Sequence, residues 1–200
     1  MNNREIGLFF HRKYIYDPIN IAEQLKSSFP DLGEAVILPV DESNNNPVFI
    51  FDKNSNFTIY ASLSNIIVKL GPSKYPNIKG ILGVILNIFS DEKIEFTRLG
   101  IVNTIVLGEK EKNLFINNAF EAKQIIMAKE IELSYFQNID YKDKILNCWK
   151  RYISNNELFY VVVDINTQME DIFEINIKNI MKFIEFALEY MEQSQLVKLY

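Results

Sequence analysis

Apolar and polar residues change period repeatedly along the chain, and each change marks an element. From Arg4 to Tyr16, Ile6, Leu8, Phe10 and Tyr14 alternate with Glu5, Gly7, His11 and Lys13, the two-residue period of a strand with one buried face. Asp17-Pro18 then supplies a capping acid and a proline at the first helical position, so a helix is expected to Phe29, with Ile21 and Leu25 inward. Short strands are expected at Ala35 to Val40, Pro47 to Phe51, Phe57 to Leu63 and Ile66 to Leu70. They are separated by the polar loop Asp41 to Asn46 and the turns Lys53 to Asn56 and Ser64-Asn65. Asn77 to Phe89 has helical spacing. Its Gly80 and Gly83 share one side, which suggests the close approach of another backbone.

Ile94 to Leu107 reads as a long strand that changes character at Gly100. Alternation precedes the glycine and both faces are apolar after it, so a bulge is expected there. A charged loop (Glu109 to Lys112), a helix (Leu114 to Met127) and a strand (Glu130 to Phe136) should follow. Tyr141 to Ile153 fits two templates: a helix capped by Asp140, or one arm of a hairpin that turns at Asn155-Asn156 into Leu158 to Ile165. The hairpin is the reading adopted. Ile172 to Glu192 is an amphipathic helix whose apolar surface covers roughly two thirds of its circumference, wider than an ordinary surface helix needs. Such a helix must be covered from two sides.

The order strand, helix, strands, helix occurs twice. It implies an α+β fold with curved antiparallel sheet, helices on one face and a long C-terminal helix. The expected organisation is one domain over residues 1–200, with lobes at 1–92 and 93–200 as the alternative division.

Composition narrows the classes. In 200 residues, 48% apolar and 24% charged are globular values. A net charge of −5 argues against nucleic acid or an anionic membrane as a partner. The hydrophobic run Ile78 to Phe89 is too short to span a bilayer, and Met1 to Arg4 carries no apolar signal region, so a cytoplasmic protein is expected. Abundant Asn, Ile and Lys suit a low-GC bacterium or its phages and mobile elements.

Candidate chemistry is sparse. His11 falls on the polar side of its strand, and no nucleophile is marked for it. Cys148 lies in apolar surroundings, and one His with one Cys cannot build a structural zinc site. Asp164-Ile165-Asn166 begins like a calcium loop but lacks its glycine and bidentate glutamate. No cofactor and no catalytic residue is assigned. On the last helix Phe183, Phe186 and Tyr190, continued by Ile172 and Ile175, form an aromatic flank that suits either internal packing or a partner surface.

Ser62-Leu63-Ser64-Asn65, Arg98-Leu99-Gly100-Ile101 and the apolar strand ending near Asp164 together resemble a sporadically distributed family of uncharacterised bacterial proteins. In that family one strand carries Arg-Ile-Gly-Leu and a later apolar strand ends in Asp. An Arg follows soon after the family's Gly, where this chain has Ile101-Val102-Asn103. The resemblance implies no activity. The expected function is therefore non-enzymatic binding of another protein, or of a second copy as a homodimer, in the manner of a regulator, inhibitor or adaptor. The alternative is a module for a small apolar ligand, with the sheet gripping the long helix.

Overall fold

β1 (Asn2–Phe10) is the strand on which both halves of the chain meet. It pairs with β5 (Asn65–Leu70) along one edge and with β6 (Phe96–Leu107) along the other. The computed structural model describes residues 2–11, 16–39, 47–51, 57–71, 77–119, 131–154, 158–169 and 173–196. The remaining strands are β2 (Ala35–Ile37), β3 (Pro47–Phe51), β4 (Phe57–Ser62), β7 (Ile131–Tyr141), β8 (Lys144–Ser154) and β9 (Phe159–Thr167). All join one nine-stranded antiparallel sheet in the order β2-β3-β4-β5-β1-β6-β9-β8-β7. With four helices among the described residues, the fold is α+β as the pattern requires.

The order has a local symmetry. β1 and β6 open the two halves, and each is flanked by the last strand of its own half, β5 or β9. Where they meet, Ile6-Gly7-Leu8 runs against Leu99-Gly100-Ile101, glycine opposite glycine. The two halves are thus parts of one sheet.

Helices α1 (Pro18–Ser28), α2 (Ile78–Asp91) and α4 (Ile177–Leu196) cover one face of this sheet. Ring contacts pin each to it: Phe29 just after α1 to Phe57, Phe89 of α2 to Phe10, and Phe186 of α4 to Tyr141, with centroids 5.6, 5.8 and 4.8 Å apart. Helix starts follow their caps. Asp17 accepts from Ile19 N at 2.9 Å, with Pro18 at the first helical position. Asn77 accepts from Gly80 N at 3.1 Å, and Asn176 from Asn179 N at 2.9 Å. Because Asn176 caps it, α4 begins at Ile177, five residues later than its apolar pattern suggests. Helix α3 (Glu109–Ala119) begins inside the expected charged loop: Glu111 accepts from Gly108 N, and acids in the first turn favour the positive end of the helix dipole.

Three other expectations are corrected. The bulge lies at Thr97: Phe9 pairs with Arg98 but Phe10 with Phe96, leaving one extra residue, while no described glycine has positive φ. Gly83 meets no other backbone; a Cβ there would have nothing within 4 Å. Gly80 leaves room for the Asn77 cap, whose Nδ2 would lie 2.9 Å from an added Cβ. The hairpin reading of the β8–β9 region holds, and β8 is also the return strand of a second hairpin, β7–β8, turned at Lys142-Asp143 with Lys142 at φ 57°. The loop 41–46, the turn 53–56 and residues 120–130 and 155–157 lie outside the described residues.

Candidate partner-binding face

Residues paired across a sheet share a face, so the register sorts every strand residue into covered or open. Ile6, Leu8, Ile66, Val68, Ile101, Val163, Ile165 and Cys148 face the helices and are buried. On the opposite face, one row crosses the whole sheet: Val36, Ile50, Tyr60, Ile67, Gly7, Gly100, Asn166, Asn147 and Asn138. Helices α1, α2 and α4 lie on the other side, although Val162, which faces this way beside Arg151, is buried.

The centre of this open face is occupied by Phe9. An added Cβ at Gly7 would stand 2.9 Å from Phe9 Cε2 and 3.0 Å from Ile67 Cδ1; at Gly100 it would stand 3.2 Å from Phe9 Cε2. The paired glycines thus leave a shallow seat for the ring. The guanidinium of Arg98 closes over the ring, 5.4 Å from its centroid. Arg98 also donates from Nη2 to Asn166 Oδ1 at 3.3 Å and from Nε to the Thr167 carbonyl at 3.2 Å. Asn166 in turn donates to Asp164 Oδ1 at 3.1 Å. Burial pushes the Asp164 carboxyl above its ordinary value, and Asn166, Arg151 and Arg98 pull against that rise. Asp164 continues a regular strand through Thr167, so it opens no calcium loop.

Beside this network lies an aromatic step. Trp149 pairs across the sheet with Asp164 on one side and Phe136 on the other. Its ring centroid is 4.9 Å from that of Phe136, and each residue is 45% exposed. Arg151 follows two residues along the same strand and face, exposed. Arg and Trp beside a polar centre are the residue types that dominate binding energy at protein interfaces. On the far side of Phe9, Glu5 bridges to Lys69 at 2.8 Å and accepts from Tyr60 Oη at 3.2 Å; burial first, then Glu5, pushes the Tyr60 phenol up to about 12.

The aromatic flank of α4 faces inward. Phe183 is 1% exposed, edge-on to Tyr141 and Phe173 at 6.4 and 6.2 Å. Phe186 is half-buried on Tyr141, and Tyr190 accepts a hydrogen bond from Gln137 Nε2. Ile175 is partly buried against the core, and Ile172 lies outside the described residues. The flank therefore packs on β7 and β8 within the chain, because β7 runs on to Tyr141, beyond the expected end at Phe136, and turns directly into β8. Trp149 and Phe136 were not singled out as site residues, although their alternation with polar neighbours on β7 and β8 was available as a signal. The motif residues do meet: Asn65 pairs with Phe9, Phe9 with Arg98, and Arg98 reaches Asp164 through Asn166.

His11 is exposed, and among the described residues no three His, Cys, Asp or Glu side chains cluster as metal ligands would. No described helix is long and apolar enough to cross a membrane. No protein-family model matches the chain, and no curated protein matches it.

Proposed function

We propose that the chain is a protein-binding module that engages its partner with the open face of the sheet, in the role of a regulator, inhibitor or adaptor. The observation that carries this reading is the exposed Phe136–Trp149 pair beside Arg98, Asn166, Asp164 and Arg151 on the face opposite α1, α2 and α4. A large rigid aromatic surface next to a preformed charged network supplies both the apolar anchor and the orienting groups that a hot spot needs. Two cations at Arg98 and Arg151 around a desolvated Asp164 suit a partner surface that presents a carboxylate to the arginines and a donor to Asp164. The working location is the cytoplasm.

The test is differential capture by immobilised protein from a bacterial host lysate, followed by reconstitution with the purified partner. A partner retained by wild type should be lost by folded Trp149→Ala and by Arg151→Glu, with affinity reduced at least about tenfold, as for a hot-spot residue. Equal retention by wild type and both variants would show that the open face is not the binding surface.

A second reading rests on the opposite side. Gly83 opens a groove of about 650 Å³ between α2 and the start of α4, lined by Leu86, Ile94, Phe96, Ile175 and Ile177 with Asn87, Ser90, Glu95 and Asn176 among them. It suits a small, mainly apolar ligand that carries a polar group. Mass spectrometry of denatured protein detects such a ligand, and Gly83→Leu, which fills the groove, should abolish its co-purification.

A further inference from the structure

The two edges of the sheet are unlike. β2 offers only three residues, the short kind of edge that resists pairing with another chain. β7 offers eleven, paired to β8 from Ile131 to Tyr141 without a register shift. It contains no proline, no lysine and no bulge, the usual devices that blunt an edge, and among the described residues no strand pairs with its other side. Its outward-turned residues Glu132, Ser134, Phe136, Asn138 and Asp140 are all exposed, and so is Leu133 on the covered face.

We propose that β7 pairs antiparallel with β7 of a second copy, joining two sheets across a two-fold axis. This goes beyond the partner-binding reading, since it uses the strand edge and requires no other protein. The strand's own chemistry selects the register. A two-fold perpendicular to the sheet keeps each residue opposite one of the same face, so the axis passes between a residue and its own copy. An axis at Phe136 sets Glu132 against Asp140 twice, which is repulsive. An axis at Tyr135 sets Glu132 against Asn138 and gives neither acid a cation. An axis at Gln137 places Ser134 opposite the partner's Asp140 and Phe136 opposite its Asn138, and brings Glu132 past the end of the partner's strand at its turn. The two Phe136 rings become diagonal neighbours within reach of one another, while Lys142 keeps its place over its own Tyr141 ring, 5.0 Å from the centroid. On the covered face Leu133 meets the partner's Tyr141, and Tyr135 meets its Ile139. Every exposed apolar group on the strand gains a neighbour in this register and no like charges oppose.

Sedimentation of the purified wild type at micromolar concentration should give twice the mass of one chain. Disulfide trapping then reads the register without core substitutions, since Ser134 and Asp140 are exposed and the native Cys148 is buried. Ser134→Cys and Asp140→Cys proteins, mixed and gently oxidised, should form a covalent 134–140 heterodimer. Neither should link to itself, because identical positions lie about 20 Å apart along the strands. A wild type that sediments as a monomer overturns the proposal. A dimer that gives no 134–140 link, or that links either single variant to itself, overturns it as well. Equal partner capture by wild type, Trp149→Ala and Arg151→Glu, with the 134–140 link intact, would count against the open-face reading alone.

Discussion

Arg98 and Phe9 form a stack on the open face of the sheet, with guanidinium carbon and ring centroid 5.4 Å apart and the glycine pair Gly7–Gly100 beneath the ring. The stack depends on two absent side chains. Gly7→Ala should destabilise more than Gly100→Ala, because its Cβ would stand closer to Phe9 Cε2, at 2.9 against 3.2 Å, and would also press on Ile67. Combining either with Phe9→Ala should relieve the clash. A double-mutant cycle by denaturant unfolding should return a coupling of about 0.5–3 kcal/mol, as for residues in contact. Purely additive effects would mean that the ring does not occupy the glycine seat.

Asp164 makes the stability depend on pH in a definite direction. Its folded carboxyl is raised above the ordinary aspartate value, burial being the largest cause. The folded state then holds the proton more tightly than the unfolded state, so this group's contribution to stability falls as pH rises from the ordinary value through the raised one. Asp164→Asn should remove that part of the slope and stabilise the protein above the window. Urea unfolding of both proteins from pH 3 to pH 8 checks this; a wild-type slope unchanged by the substitution would rule out Asp164 as its source.

Cys148 should be inert in the native state. Burial is the main force pushing its thiol up, with Lys150 and Gln137 acting against the rise. Since the thiolate is the nucleophile, a thiol reagent at neutral pH should label the folded protein more than about tenfold slower than the protein in denaturant. Equal rates would place the sulfur at the surface.

The aromatic residues of α4 and β8 should separate by role. Phe183→Ala removes a core ring and should cost about 3–5 kcal/mol. Trp149→Ala, at an exposed position on the open face, should change stability by less than about 1 kcal/mol while abolishing partner capture. Thermal and denaturant unfolding of the two variants, read beside the capture experiment, distinguish scaffold from surface.

Alkaline titration offers a further check on the open face. The Tyr60 phenol is raised to about 12 by burial and by Glu5, so the stabilising contribution of its neutral form is present below the ordinary value of 10.0 and lost as pH rises through 12. Tyr60→Phe should flatten the loss of stability over that interval, and spectrophotometric titration should lose one late-ionising phenol.

Local chemistry in the sequence determined much of this protein. Asp17-Pro18 fixes the start of α1, and alternation fixes which side of β1, β4 and β5 is buried, because a capping oxygen and a two-residue period act within a few residues. The doubled strand-helix-strands-helix order was legible for the same reason. The identity of the site was not. Whether Phe183 meets solvent or Tyr141 depends on where a hairpin closed by Lys142-Asp143 lies relative to α4, a contact between residues distant in the chain. Gly100 is likewise ambiguous alone: a bulge and a seat for a neighbour's ring both call for glycine, and only the pairing of Gly7 with Gly100 shows that Phe9 fills the space. Tertiary structure decided the face as well. Trp149, Asp164 and Arg98 come from three different strands, and register alone, which shifts every side chain to the other face with one residue's slip, brings them to the same side of the sheet.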